Sequence, residues 1–222
     1  MEGYTTMKKH ALILTLAAMA LIAVPALATG EPVDVVKGTA VIDGKLDDFA
    51  AAKPITVTYD MHSQYGLEVA DGPKDNTAIF YPMYDDKFVY IGVKVTDDIV
   101  MFEKSGSDIW NSDAVEIWLG GLQFGVSISV EDGLVTVADW KGSGVATTAA
   151  LIKTAEGWNA EIKLSIADLA GADVAVGKGL SIPFAVGIND QDVSDAGREM
   201  QNYFPTDWTH SVPDTFAIAT FK

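Results

Sequence analysis

Thr77-Ala-Ile-Phe-Tyr-Pro-Met-Tyr84, Asp85-Asp-Lys87 and Phe88-Val-Tyr-Ile-Gly-Val-Lys-Val95 form the most legible stretch of the chain. The first and last segments are rich in β-branched and aromatic residues, and the acidic tripeptide between them supplies a turn. In the returning segment Val89, Ile91, Val93 and Val95 fall on one face of a strand, while Phe88, Tyr90 and Lys94 fall on the other. This period of two predicts a β-hairpin with one face in a core.

The same pattern recurs on both sides. Upstream, Asp34 to Ile42 alternates weakly before Asp43-Gly44, Pro54 to Tyr59 alternates cleanly, and the polar stretch Met61 to Asp75 reads as a loop. Downstream, Asp113 to Leu119 sends Val115, Ile117 and Leu119 one way and Ala114, Glu116 and Trp118 the other. Gln123 to Val130 and Leu134 to Asp139 flank Asp132-Gly133, a two-residue hairpin signal. Trp158 to Leu164, Leu180 to Ile188 and Thr215 to Phe221 follow, with a helical turn at Ile166 to Leu169. About ten short strands with no long amphipathic helix predict an all-β domain, a two-sheet antiparallel β-sandwich of jelly-roll-like character.

The N-terminus has a different order. Lys8 and Lys9 precede an apolar run from Ala11 to Leu27, which closes on Ala26-Leu-Ala28. That charged, apolar, small-residue order predicts a signal peptide over residues 1–28, cleaved after Ala28, and a secreted or periplasmic domain over 29–222 with no membrane anchor left. Met7 also suits a start, since the signal pattern begins there. Pro25 and the lack of a basic cluster after the run argue against a stop-transfer helix.

There is no cysteine, so the fold draws on burial and not on disulfides. The full sequence carries 15 Lys and Arg against 31 Asp and Glu, a formal charge of −16, which loss of Glu2, Lys8 and Lys9 takes to −17. A surface of that sign repels phosphate backbones and anionic lipid, so no nucleic-acid partner is expected.

Trp110 enters the Asp113–Leu119 strand from a loop, and Glu116 lies on the polar face of that strand. An indole can cover the C–H face of a pyranose, and a carboxylate can accept hydrogen bonds from neighbouring hydroxyls. The same residue types also suit a ring capping the core and a solvated carboxylate. A second aromatic stretch holds Arg198, Tyr203, Phe204 and Trp208. If the strand order sets Trp208 opposite Trp110, the two rings can sandwich a sugar with Arg198 donating to it; a lid of aromatics closing the sandwich accounts for them equally.

Four stretches in order, Ile42-Asp-Gly-Lys-Leu-Asp-Asp48, Tyr84 to Asp97, Trp110-Asn-Ser-Asp-Ala-Val-Glu-Ile-Trp118 and Gly157-Trp-Asn-Ala-Glu-Ile162, resemble the family 9 carbohydrate-binding module and its wider sugar- or haem-binding β-sandwich superfamily. The resemblance covers nearly the whole predicted domain. It implies non-catalytic binding of a saccharide between two tryptophans, often beside structural calcium. Trp110 and Glu116 match the first clamp and its carboxylate, Trp208 and Arg198 the later half, and Asn189 an amide ligand. Phe49 departs from the pattern, standing where an early tryptophan is usual.

Other functions leave weaker marks. Relatives with this sandwich hold b-type haem through Met, His or Lys, and here Met101 is the best-placed candidate beside His62 and His210, with no diagnostic pair. No nucleophile elbow, zinc helix or phosphate loop is present, and acidic residues are too many to single out a glycosidase pair. Self-association as an extracellular filament or surface-layer subunit is the main alternative. Calcium would bridge clusters such as Asp47-Asp48, Asp85-Asp86, Asp97-Asp98 and Asp190 with Asp192 and Asp195.

Overall fold

The computed structural model describes residues 32–61, 66, 69–169 and 177–222; the predicted signal segment lies outside them, as does His62. Twelve strands form: β1 (Pro32–Lys37), β2 (Ile55–Val57), β3 (Thr77–Tyr84), β4 (Phe88–Thr96), β5 (Ala114–Leu119), β6 (Leu122–Ile128), β7 (Val135–Asp139), β8 (Thr147–Thr154), β9 (Gly157–Ser165), β10 (Ser181–Asp190), β11 (Met200–Phe204) and β12 (Ala217–Phe221). One helical turn, α1 (Ile166–Leu169), sits where it was expected. Among the described residues no helix is long and apolar enough to cross a membrane.

The strands follow one path, β7-β6-β5-β10-β12-β1-β3-β4-β9-β8, with β11 beside β10 and β2 beside β3. This path folds into a β-sandwich because β1 belongs to both sheets. Its first half pairs with β12 and its last two residues with β3, both in parallel, whereas the other pairings are antiparallel. Between the sheets lies one large core, in which Val89, Ile91, Val93 and Val95 of β4 meet Val115, Ile117 and Leu119 of β5. All seven are at most 2% exposed, so the two alternations read from the sequence face each other.

The β3–β4 hairpin is as expected. Tyr84 pairs with Val89, and the Asp85 carboxylate accepts the backbone N–H groups of Lys87 and Phe88, which locks the turn. Its other face is not solvated, however. Residues 38–52 lie across it and bury Phe49, Met83 and Tyr90 in a second small core. Gly92 makes this possible, since a Cβ there would stand 3.0 Å from the Phe49 ring.

A single carboxylate fixes the covering segment. Glu161 of β9 is fully buried, and its Oε2 accepts the N–H groups of Asp43 and Gly44 at 2.7 and 2.6 Å. Gly44 takes a φ of +86°, open to glycine, so the turn can aim both donors at one oxygen. The Ile42–Asp48 and Gly157–Ile162 stretches are therefore one structural unit, which is why they occur together.

Three expectations shift. The strand from Asp34 ends at Lys37 instead of Ile42, because the chain leaves the sheet to cover β4. The turn at Asp132-Gly133 is part of a longer loop: Ser129 pairs with Leu134, and Gly133, at φ +69°, donates back to the Ser129 carbonyl. Finally, β8 and β11 add two strands to the ten expected; β11 reads Met-Gln-Asn-Tyr-Phe with all five side chains buried, so it has no alternation to detect.

Candidate functional site

On β5, the period that sends Ile117 into the core turns Glu116 to the outer face of its sheet. In register beside it stand Gly125 of β6 and Gly187 of β10. Neither flank carries a side chain, and indoles take up the space: Trp140 lies over Gly125 and Trp118 beside Gly187.

Glu116 is 3% exposed and is held by amides on three strands. Gln123 donates to Oε2 at 3.1 Å, while Asn189 and Gln201 donate to Oε1 at 2.8 and 3.0 Å. Arg198 reaches the same oxygen at 3.9 Å and donates to Asn189 Oδ1 at 3.2 Å. Burial still wins over these partners and raises the Glu116 carboxyl above its usual range. The result is a desolvated, fixed acceptor at the base of an open cleft of about 770 Å³.

Two loops build the upper wall. The 3-10 turn Gly106–Asn111 carries Trp110, 40% exposed, with the Arg198 guanidinium 5.1 Å from its ring centre. The loop after β10 carries Arg198. Asn111 accepts the Arg198 backbone N–H, and Glu103 accepts Gln191, Ser194 and the Asp195 N–H, so the loops are joined along their length.

All five residues expected from the sequence therefore reach one cleft or its base. Trp110, Glu116, Arg198 and Trp208 line it, and Asn189 bonds both Glu116 and Arg198. Trp208 differs from the expectation of a ring standing free opposite Trp110. It is 4% exposed and packs 4.7 Å from Trp118 and 4.3 Å from Tyr203, with His210 against it. The sequence reading missed Gln123, Gln201 and Trp140, which also line the cleft. A glutamine in the otherwise apolar opening of β6 was the available signal for the first.

Behind the loops lies a second polar centre, built from Asp75, Asp97, Asp98, Asp113, Asp190 and Asp192, whose carboxylate oxygens fall in sets of three within 4.8 Å. Asp75, Asp97, Asp113 and Asp190 are buried. Oδ1 of Asp75, Asp190 and Asp192 accepts no N–H or O–H among the described residues. Burial, then the neighbouring carboxylates, pushes Asp190 up to about 9 and Asp192 up to about 7. Buried oxygens of one charge with open lone pairs fit a hard divalent cation such as Ca²⁺. Met101 adjoins this centre through its backbone, bonded to Ser112 and Asp113.

No curated protein matches the sequence. Solved structures share its fold: a family 9 carbohydrate-binding module from Caldicellulosiruptor kristjanssonii in complex with glucose is 19% identical over 86% of this chain and 96% of that one, with a TM-score of 0.64. The same description with cellotriose gives 18% identity, 86% and 94% coverage and a TM-score of 0.62. A putative carbohydrate-binding protein from Bacteroides uniformis is 10% identical, over 87% of this chain and 100% of that one, with a TM-score of 0.59. The family model described as "Carbohydrate family 9 binding domain-like" matches residues 42–220, from the turn held by Glu161 to the last strand. Since that match takes in the covering segment, the cleft and both loops together, the chain belongs to this carbohydrate family 9 binding domain-like family.

Proposed function

We propose that the protein is an exported, non-catalytic module that holds a saccharide in the cleft above Glu116. One observation carries the reading: an exposed indole and a buried carboxylate, fixed by three amides and a guanidinium, open into the same cleft. One face of Trp110 meets Arg198, and the ring's exposed surface offers a flat apolar platform for the C–H face of a pyranose. Glu116 accepts sugar hydroxyls, and Arg198, Asn189 and the glutamines orient them. Trp208 contributes a packed flank rather than a free ring. Two structures of the same fold are complexes with glucose and with cellotriose, which supports this ligand class.

Each net hydrogen bond is worth about 1 kcal/mol, more when charged. A handful of them with one stacked ring gives a Kd on the order of micromolar to millimolar. Calcium, when bound, would neutralise the carboxylates of Asp75, Asp97, Asp113, Asp190 and Asp192 and hold together the segments that carry them. Export follows from the charged, apolar, Ala-Leu-Ala order of residues 8–28.

Titration calorimetry against a panel of mono- and oligosaccharides tests the reading. Saturable heat with at least one sugar is expected. No binding across the panel, with calcium present and the protein folded, refutes it.

A further inference from the structure

The cleft is larger than one ring and one carboxylate require. It is an open cleft of about 770 Å³ lined along its length by polar and aromatic side chains. Its floor crosses β6, β5, β10 and β11, three inter-strand spacings or about 14 Å. Of the residues considered so far, Asn189, Arg198 and Gln201 stand on the β10–β11 side.

Trp140 occupies the other side. It follows β7, and its ring lies over Gly125, where a Cβ would stand 2.3 Å from ring carbon Cη2. Only glycine lets the indole come so near the sheet. Because Gly125 pairs with Glu116, the ring sits one strand from the carboxylate. Its position is fixed in three ways. The indole N–H donates to the Ser107 carbonyl at 2.8 Å, and the Trp140 backbone N–H donates to Gln123 at 3.1 Å. The following turn is tied by Asp139, which accepts Ser143 Oγ and the Gly144 N–H.

A half-buried indole with its polar atom satisfied and its rotamer set loses little freedom on meeting a ligand. Trp208, lining the same cleft, has already spent its surface on Trp118 and Tyr203. Trp110 and Trp140 are thus the two lining indoles with surface to offer, and the Ser107 carbonyl ties the Trp140 ring to the turn that carries Trp110.

We propose that Trp140 forms a second stacking subsite, so that the site takes an oligosaccharide of at least two units in preference to a free monosaccharide. The inference rests on the saccharide reading above. If one unit sits against Trp110 and Glu116, the next in the chain extends over β6 onto the Trp140 ring. Its role is contact with ligand, and the bond to Ser107 serves to hold the ring.

The test is calorimetry with glucose, cellobiose and cellotriose, and with the matching xylose series, on the wild type, Trp140→Ala and Trp140→Phe. The wild type should bind the trisaccharide about tenfold more tightly than the monosaccharide of the series it recognises. Trp140→Ala should remove most of that ratio by weakening trisaccharide binding more than monosaccharide binding. Trp140→Phe, which keeps a ring but not the N–H, should retain most of it, and it covers the case in which the alanine variant fails to fold. An unchanged ratio in both variants overturns the Trp140 subsite and leaves the saccharide reading standing. So does an equal loss for all chain lengths, which would mark Trp140 as support for the Trp110 turn. A wild type that binds no member of either series or of the wider panel refutes the saccharide reading itself, and the subsite with it.

Discussion

Removing the cation should weaken the fold by an amount the geometry sets. Two full charges 4.8 Å apart repel by about 3 kcal/mol at an effective dielectric of about 20, and the cluster brings several such pairs together. Without a cation, protonation relieves part of that load, since burial and its neighbours push Asp190 up to about 9. A cation held at a hundred times its Kd adds about 2.7 kcal/mol to the native state. At about 2–4 °C per kcal/mol for a chain of this size, Tm should rise by roughly 5–10 °C between excess EGTA and millimolar calcium. Calorimetric or fluorescence melting reads this directly. Asp190→Asn sharpens the test, because it removes one carboxylate ligand from between Asp75 and Asp192 and leaves a neutral side chain there in both buffers. Its Tm should stay close to that of the wild type in EGTA and fall below it in calcium. Sugar affinity should follow, since Asp97 and Asp113 bracket the segment with Trp110, and Asp190 and Asp192 begin the one with Arg198; by linkage, sugar and calcium should tighten each other's binding by the same factor. A melting temperature indifferent to calcium, or wild type and Asp190→Asn that melt alike in both buffers, would falsify the argument.

Other perturbations separate binding from folding. Trp110→Ala should lower saccharide affinity at least tenfold with Tm within about 2 °C of wild type, because the ring is 40% exposed; a collapse of Tm would place it in the core instead. Glu116→Gln keeps the shape of the floor but replaces the charged acceptor, and should weaken binding by about 1.5–3 kcal/mol as calorimetry measures it. Glu161→Ala strands the buried N–H groups of Asp43 and Gly44 and should cost about 3 kcal/mol in urea melts, with no direct effect on the cleft. Burial raises the Glu161 carboxyl above 4.5, so its ionised form is the less favoured in the fold: stability should grow as pH falls through the raised folded value toward 4.5, and Glu161→Gln should flatten that part of the profile.

The parts of this molecule that could be read in the sequence are those in which neighbours along the chain do the work. Alternation of Val89, Ile91, Val93 and Val95 identifies a buried face because successive strand residues point to opposite sides. Trp110 and Glu116 were legible for a like reason, lying six residues apart on one loop and strand. Asp75 and Asp113 were not linked to Asp97 and Asp190, since four separate segments must converge before their charges meet. Gln201 faces Glu116 while its neighbour Asn202 faces the other way and bonds the Asn76 carbonyl, so both faces of the strand are buried and no polar alternation reveals it. Trp140 gave no sign because its meaning depends on a missing side chain at Gly125, fifteen positions earlier. Trp208 lines the cleft, but its packing on Trp118 depends on cross-strand neighbours that spacing does not encode.

The strand that joins the two sheets also sets when folding can finish. Pro32 to Val35 pair with Ile218 to Phe221, so the seam of the sandwich is made from the first and last of the described strands. Contacts so remote in the chain form late and slowly, and until the final strand has been synthesised the opening one lacks half its partners. A polypeptide of this topology stays extensible while it grows, and the sandwich becomes a rigid body only once β12 is available.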